Sequence, residues 1–248
     1  IVDDVHSLLA GGSGDSYQEV LELIDERKIE AMDAYASFSR TVASGTEDSG
    51  ETETFFTLLR GGLERHPVGI LAELNGSART RTIDDSFFYR AGARFRAINE
   101  QPRRIVHPIV PEGKNLDACR DALLELHGED PSFILGYVPD NDGDRGNIVY
   151  FDERDESAGA IPAQSVFALS VLSELADLAF RTDRTSRSGA KKNAVVVNGP
   201  TSMLIERIAG LFSARVFRTE TGEANVVSKA AELRQEGYTV RILGEGSN

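Results

Sequence analysis

From residue 68 to residue 243, short runs of β-branched and aromatic residues alternate with longer stretches of helical periodicity. That alternation limits the chain to a layered α/β protein. Extended runs occupy 68–73, 94–98, 132–138, 148–151, 194–197, 214–218 and 239–243, and helical segments at 55–64, 86–91, 116–127, 165–180, 202–212 and 226–236 accompany them. Ahead of these, Tyr17, Val20, Leu21 and Ile24 fall at helical spacing, and the helix they begin is expected to continue to Val42. Segment 43–54 is rich in Ser, Thr, Gly and Glu, and 181–192 is basic and Ser-rich; both read as loops. Within 165–180, Val166, Leu169, Leu172 and Leu175 are assigned to the core.

At 248 residues the chain can bury a real core in one or two domains. Its net charge of −13 argues against nucleic acid or an anionic membrane as partner, because no excess of cations exists to neutralise phosphates. The single cysteine, Cys119, lies in a helical setting and reads as a buried, inert thiol with no disulfide partner. No stretch reads as long and apolar enough to span a bilayer and no secretory signal is visible, so a cytoplasmic parent protein is expected.

The most informative local feature is the turn between 132–138 and 148–151. Asp140, Asp142 and Asp144 alternate across it, and Arg145 follows at once. Three carboxylates in five residues repel one another, and a hard divalent cation removes that cost because Mg²⁺ and Ca²⁺ take oxygen ligands. An adjacent arginine suits a phosphate oxygen. Asn-Asp-Gly-Asp is equally good turn chemistry, and many acidic turns bind nothing. A calcium-sensor loop is excluded by position: counted from Asp140, the sixth residue is Arg145 instead of glycine and the twelfth is Phe151 instead of glutamate.

Two further segments carry weaker signals. After 214–218, Arg218, Thr219 and Gly222 precede a helix whose first N–H groups could hold an anion, although Thr221 or Glu223 could simply cap it. At the C-terminus Glu245 and Ser247 would present an acceptor and a donor-acceptor side by side, a pairing that suits neighbouring sugar hydroxyls; an ordinary flexible tail reads the same way. Asn75, Asp140, Thr219 and Gly244 each follow the carboxyl end of an extended run, the edge where open α/β sheets bind ligands. Arg79 and Arg81 read as surface residues, Lys191 and Lys192 as a solvated basic loop, and His107 is assigned no chemistry.

Taken in this order, the segments resemble the α-D-phosphohexomutase superfamily of phosphoglucomutases and phosphomannomutases. The family's metal loop, D-G-D-x-D-R, stands here as Asp140-Asn141-Asp142-Gly143-Asp144-Arg145. Its sugar loop, G-E-x-S-G, stands as Gly244-Glu245-Gly246-Ser247-Asn248, and its R-T-x-V-G-D loop as Arg218-Thr219-Glu220-Thr221-Gly222-Glu223. Asn75-Gly76, after 68–73, matches the turn that opens the family's second domain. Asn141 replaces the common glycine and is expected to take a left-handed backbone there.

The resemblance implies two similar layered domains, each a mixed β-sheet flanked by helices: residues 1–154 with the metal loop and 155–248 ending in the sugar loop. It also implies Mg²⁺ held by Asp140, Asp142 and Asp144, with Arg145 as the catalytic cation and Arg218, Thr219, Gly222, Glu245 and Ser247 as the binding set for a hexose phosphate or bisphosphate. The family's phosphoserine loop, a Ser-His-Asn run, has no counterpart here, since none of the four histidines follows a serine. The chain is therefore expected to be the two middle domains of a longer enzyme and inactive alone. Two other readings remain. One is a non-catalytic phosphosugar- or metal-binding module. The other is a haloacid-dehalogenase-like phosphatase, which would need a later aspartate pair, and no aspartate follows Asp183.

Overall fold

In a computed structural model of the chain, which describes residues 17–184 and 192–244, two sheets are built from the expected alternation. Helices α1 (Tyr17–Ser44) and α2 (Ser49–Arg65) lead into β1 (Gly69–Glu73), a short 3-10 helix (Ala78–Arg81), α3 (Asp84–Ala91) and β2 (Arg94–Ile98). Then come α4 (Asp117–Glu129), β3 (Phe133–Pro139), β4 (Gly146–Asp152) and β5 (Ser157–Ala160). Helix α5 (Ala163–Arg184) leads to β6 (Lys192–Asn198), α6 (Leu204–Leu211), β7 (Arg215–Thr219), α7 (Glu223–Gln235), β8 (Tyr238–Thr239) and β9 (Leu243–Gly244).

The first sheet has the order β2-β1-β3-β4-β5 and is mixed. Helical crossovers make β1, β2 and β3 parallel, while tight turns make β4 and β5 antiparallel to their neighbours. Side chains alternate across β3. Gly136 lies so close to Cys119 of α4 that an added Cβ would sit 2.6 Å from the sulfur, whereas Tyr137 points the other way, toward Phe88. On the α4 side Leu71, Leu123, Leu126, Phe133, Val138 and Val149 form one core with Cys119. Burial, helped by the nearby Glu73 charge, pushes the Cys119 thiol up to about 12, so it stays protonated and inert.

The second sheet differs from the mixed one expected. Every pairing among its described strands is parallel: β7, β8 and β9 all pair with β6. The reason is connectivity, since α6 and α7 carry the chain back between strands and no hairpin intervenes. A parallel sheet is covered on both faces, and β6 alternates accordingly. Val195 and Val197 pack with Ala168, Val171, Leu175 and Ile205 on one side, and Ala194 and Val196 with Val226, Ala230 and Leu233 on the other.

Several boundaries depart from expectation for identifiable reasons. Residues 49–54 are helical rather than loop: Asp48 caps α2 by accepting from the Glu51 amide at 2.8 Å, and Thr52 is buried against Ser44. The strand expected over 239–243 is broken into β8 and β9 because the Val240 carbonyl accepts from Arg234 at 2.7 Å instead of joining the ladder, and Arg241 turns toward Glu174 of α5. The core stripe of α5 is Ala168, Val171 and Leu175, while Leu169 and Leu172 are exposed. Strand β5 pairs with β4 and extends the first sheet past Arg154, to Ala160. Contrary to the expectation of no bilayer-length segment, Ala163–Arg181 within α5 is long and apolar enough by composition, with a mean hydropathy of 1.3. Its Ala168, Val171 and Leu175 are committed to the second core.

Candidate metal centre

The acidic turn is closed by the last rungs of a hairpin. Pro139 of β3 pairs with Gly146 of β4, and the Asp140 amide donates to the Arg145 carbonyl at 3.0 Å. The left-handed residue the turn needs is Gly143, at φ +82°; Asn141, expected to take that role, is not among the residues with positive φ. Asp140 is buried, and its Oδ1 accepts from the amides of Gly143 (3.0 Å) and Arg145 (3.2 Å) while Oδ2 accepts from Arg145 Nε at 2.9 Å. Asp142 and Asp144 are exposed, yet one carboxylate oxygen from each of the three aspartates lies within 4.8 Å of the other two.

The electrostatics of the trio are unequal. Burial works against the charge of Asp140, but hydrogen bonds from Arg145, Asp144 and Gly143 outweigh it, and its carboxyl lies below the ordinary aspartate range. Asp144 goes the opposite way. Its hydrogen bond to Asp140, then burial and the charges of Asp140 and Asp142, hold its carboxyl above that range. A carboxylate offers about four lone-pair sites. Three at Asp140 are taken by N–H donors, which leaves a fourth open to a divalent cation. Oxygen-only donors, their converging spacing and the like-charge repulsion that a cation would relieve all fit Mg²⁺. Arg145 is half-exposed, and beyond its Nε bond to Asp140 its terminal amino groups make no hydrogen bond among the described residues.

A polar network beside the turn escaped sequence reasoning. Glu73, at the end of β1, is fully buried; it accepts from Asn99 Nδ2 at 2.6 Å and from the Asn75 amide, and lies 2.7 Å from His107 Nε2. Asn75, at φ +43°, accepts from the Val106 and His107 amides and so ties the segment after β2 to the end of β1. His107 thus has a structural role where none was expected. The available signal was an acid ending an otherwise apolar strand, which is stable inside only with partners.

The second group of expected residues shares one segment. Thr219 ends β7, its hydroxyl donating to the Glu220 carbonyl at 3.0 Å, and Gly222 sits at φ +127° where α7 begins. Arg218 is not free to meet a ligand. Its Nε and Nη2 bind the Glu206 carboxylate at 2.7 and 3.0 Å, and Nη1 donates to the carbonyls of Asn198 (3.2 Å), Gly199 (2.7 Å) and Thr201 (2.8 Å). It braces the loop after β6. Gly244 ends β9, and Glu245 and Ser247 lie outside the described residues.

No family model and no curated protein matches this sequence. Solved structures resemble it. A phosphoglucomutase/phosphomannomutase family protein from Burkholderia thailandensis aligns over 78% of this chain at 14% identity, with a TM-score of 0.52. A candidate phosphomannomutase from Thermus thermophilus aligns over 79% at 23% identity and a TM-score of 0.48. A single-site variant of Aspergillus fumigatus N-acetylphosphoglucosamine mutase, in complex with glucose 1,6-bisphosphate, aligns over 72% at 13% identity and a TM-score of 0.43. The chain spans 37%, 41% and 34% of those proteins' own lengths, so it matches a partial set of their domains. The resemblance carried by the motifs holds at the level of fold.

Proposed function

We propose that the chain is the middle part of a Mg²⁺-dependent phosphohexomutase, which moves phosphate between C1 and C6 of a hexose phosphate through a phosphoserine carried elsewhere in the parent protein. The observation that carries this reading is the convergence of Asp140, Asp142 and Asp144 within 4.8 Å of one another on a strand-end turn, beside Arg145. The fold shared with the Burkholderia protein supports it.

Asp140, Asp142 and Asp144 hold the Mg²⁺, which when bound offsets charge growing on the transferred phosphoryl group. Asp140 keeps its geometry because three N–H donors fix it before any ligand arrives. The terminal amino groups of Arg145 orient phosphate oxygens at the same edge, the planar charge-assisted contact that arginine makes best. Thr219 and the first N–H groups of α7 near Gly222 receive polar groups of the sugar phosphate, and Glu245 and Ser247 hold two neighbouring hydroxyls in either orientation. Arg218 serves by bracing residues 198–201 rather than by touching the ligand.

Melting the chain with millimolar Mg²⁺ and again with chelator tests the site; an identical transition in both removes it. The isolated chain is expected to show no mutase turnover even with glucose 1,6-bisphosphate. The full parent protein, assayed on glucose, mannose and glucosamine phosphates, turns over at least one of them. Binding without turnover in the parent would make the protein a phosphosugar-binding module instead.

A further inference from the structure

We propose that Arg79 is a positioning residue for the acidic turn and, through it, for Asp142; the consequence for metal affinity rests on the Mg²⁺ reading above. Each aspartate of the trio is placed by something different. Asp140 is fixed by the amides of Gly143 and Arg145 and by the Arg145 side chain. Asp144 faces Arg145, whose Nε lies 3.7 Å from its Oδ1. Asp142 has neither device, but both of its neighbours are pinned by consecutive residues of the 3-10 helix after β1. The Ala78 amide donates to the Asn141 carbonyl at 2.9 Å. The Arg79 stem lies over Gly143, so close that a Cβ added there would be 2.8 Å from Arg79 Cδ and 3.1 Å from Cγ.

A flexible arginine stem holds a turn only if its far end is fixed, and here it is. The Arg79 guanidinium grips Asp84 with both Nε (3.1 Å) and Nη2, and its Nη1 reaches the Tyr35 hydroxyl of α1 at 2.8 Å. Asp84 is buried and accepts two further bonds, from the Thr82 hydroxyl at 2.8 Å and from the Tyr137 hydroxyl. Four donors saturate that carboxylate, which makes it an anchor and removes it as a metal ligand. Tyr137 stands on β3, two residues before the strand ends and the turn begins. The turn is therefore clamped between its own strand and the 3-10 helix, with Arg79 as the bridge. Partners of this outer kind tune metal sites because they orient the ligands that touch the ion.

The test compares Arg79→Ala, which removes stem and charge, with Arg79→Met, which keeps apolar packing over Gly143 but loses the grip on Asp84. Two readouts are taken on the 248-residue chain: Mn²⁺ affinity by electron paramagnetic resonance, and the Gly143 backbone amide resonance without metal. Arg79→Ala is expected to weaken Mn²⁺ about tenfold or more and to displace the Gly143 amide. Arg79→Met is expected to fall between it and the parent, because the stem is partly restored. A folded Arg79→Ala protein with parental Mn²⁺ affinity and an unmoved Gly143 amide overturns the proposal; if that variant does not fold, the same two readings on Arg79→Met decide. If the unaltered chain binds no Mn²⁺ at millimolar concentration, the metal reading fails, while the Gly143 resonance still judges Arg79 as the clamp.

Discussion

Arg145 and Arg218 both stand at strand ends, one just before β4 and the other near the end of β7, yet their surroundings give them opposite uses. Arg218 directs its guanidinium at Glu206 and three carbonyls, and its side chain is 27% exposed. Arg145 uses one nitrogen on Asp140 and keeps the rest of a 53% exposed side chain open. The lesson concerns donors rather than charge: an arginine whose hydrogens are all taken is a structural brace, and one with hydrogens to spare is available to a ligand.

The comparison can be broken most directly at Arg218. Replacing it with alanine takes a donor from the carbonyls of Asn198, Gly199 and Thr201 and removes the ion-pair partner of Glu206, and it should cost about 2–3 kcal/mol in urea unfolding. A cost near zero would mean the brace is ornamental. Next in size is Asp140→Ala, which should abolish the stabilisation by Mg²⁺, worth about 2.7 kcal/mol when the ion is present at a hundred times its Kd. A variant that still melts higher with Mg²⁺ would place the ion elsewhere.

A smaller effect is linked to acid. The Arg218 hydrogen bond outweighs the burial of Glu206 and holds its carboxyl below the ordinary range. A depressed carboxyl stabilises the fold above its unfolded value and loses that stabilisation as pH falls through the folded value. Unfolding free energy measured from pH 7 downward should therefore decline less steeply in Arg218→Ala than in the parent chain. An unchanged acid limb would show that the pair contributes nothing. The smallest effect is expected at Arg145→Ala: the buried Asp140 keeps its two amide donors, so the melting temperature without metal should fall only slightly. A large drop would make Arg145 a second brace and erase the contrast.

Much of this was legible in residue order. The Ala194-Val195-Val196-Val197 run reads as a buried strand, and the acidic turn as a cluster of carboxylates, because three aspartates within five residues of one turn are kept close by the chain itself. The break at 240–242 was not legible, because it depends on Arg234 capturing a carbonyl across a turn. The start of α2 is masked in the sequence by a Ser- and Gly-rich opening that outweighs the Asp48 cap. The role of His107 is not legible in the sequence, because its partner, Glu73, lies 34 residues away.

The order of strands and helices, the turn and the presence of three acids within it are properties of neighbouring residues, and local chemistry settles them. Which arginine is taken up as a brace, which aspartate is fixed in place and what clamps the turn are settled by the assembled contacts: Glu206 on Arg218, Arg145 on Asp140, Arg79 on Gly143. A residue type states what bonds a side chain can make, and only the assembled structure determines which of those are already made.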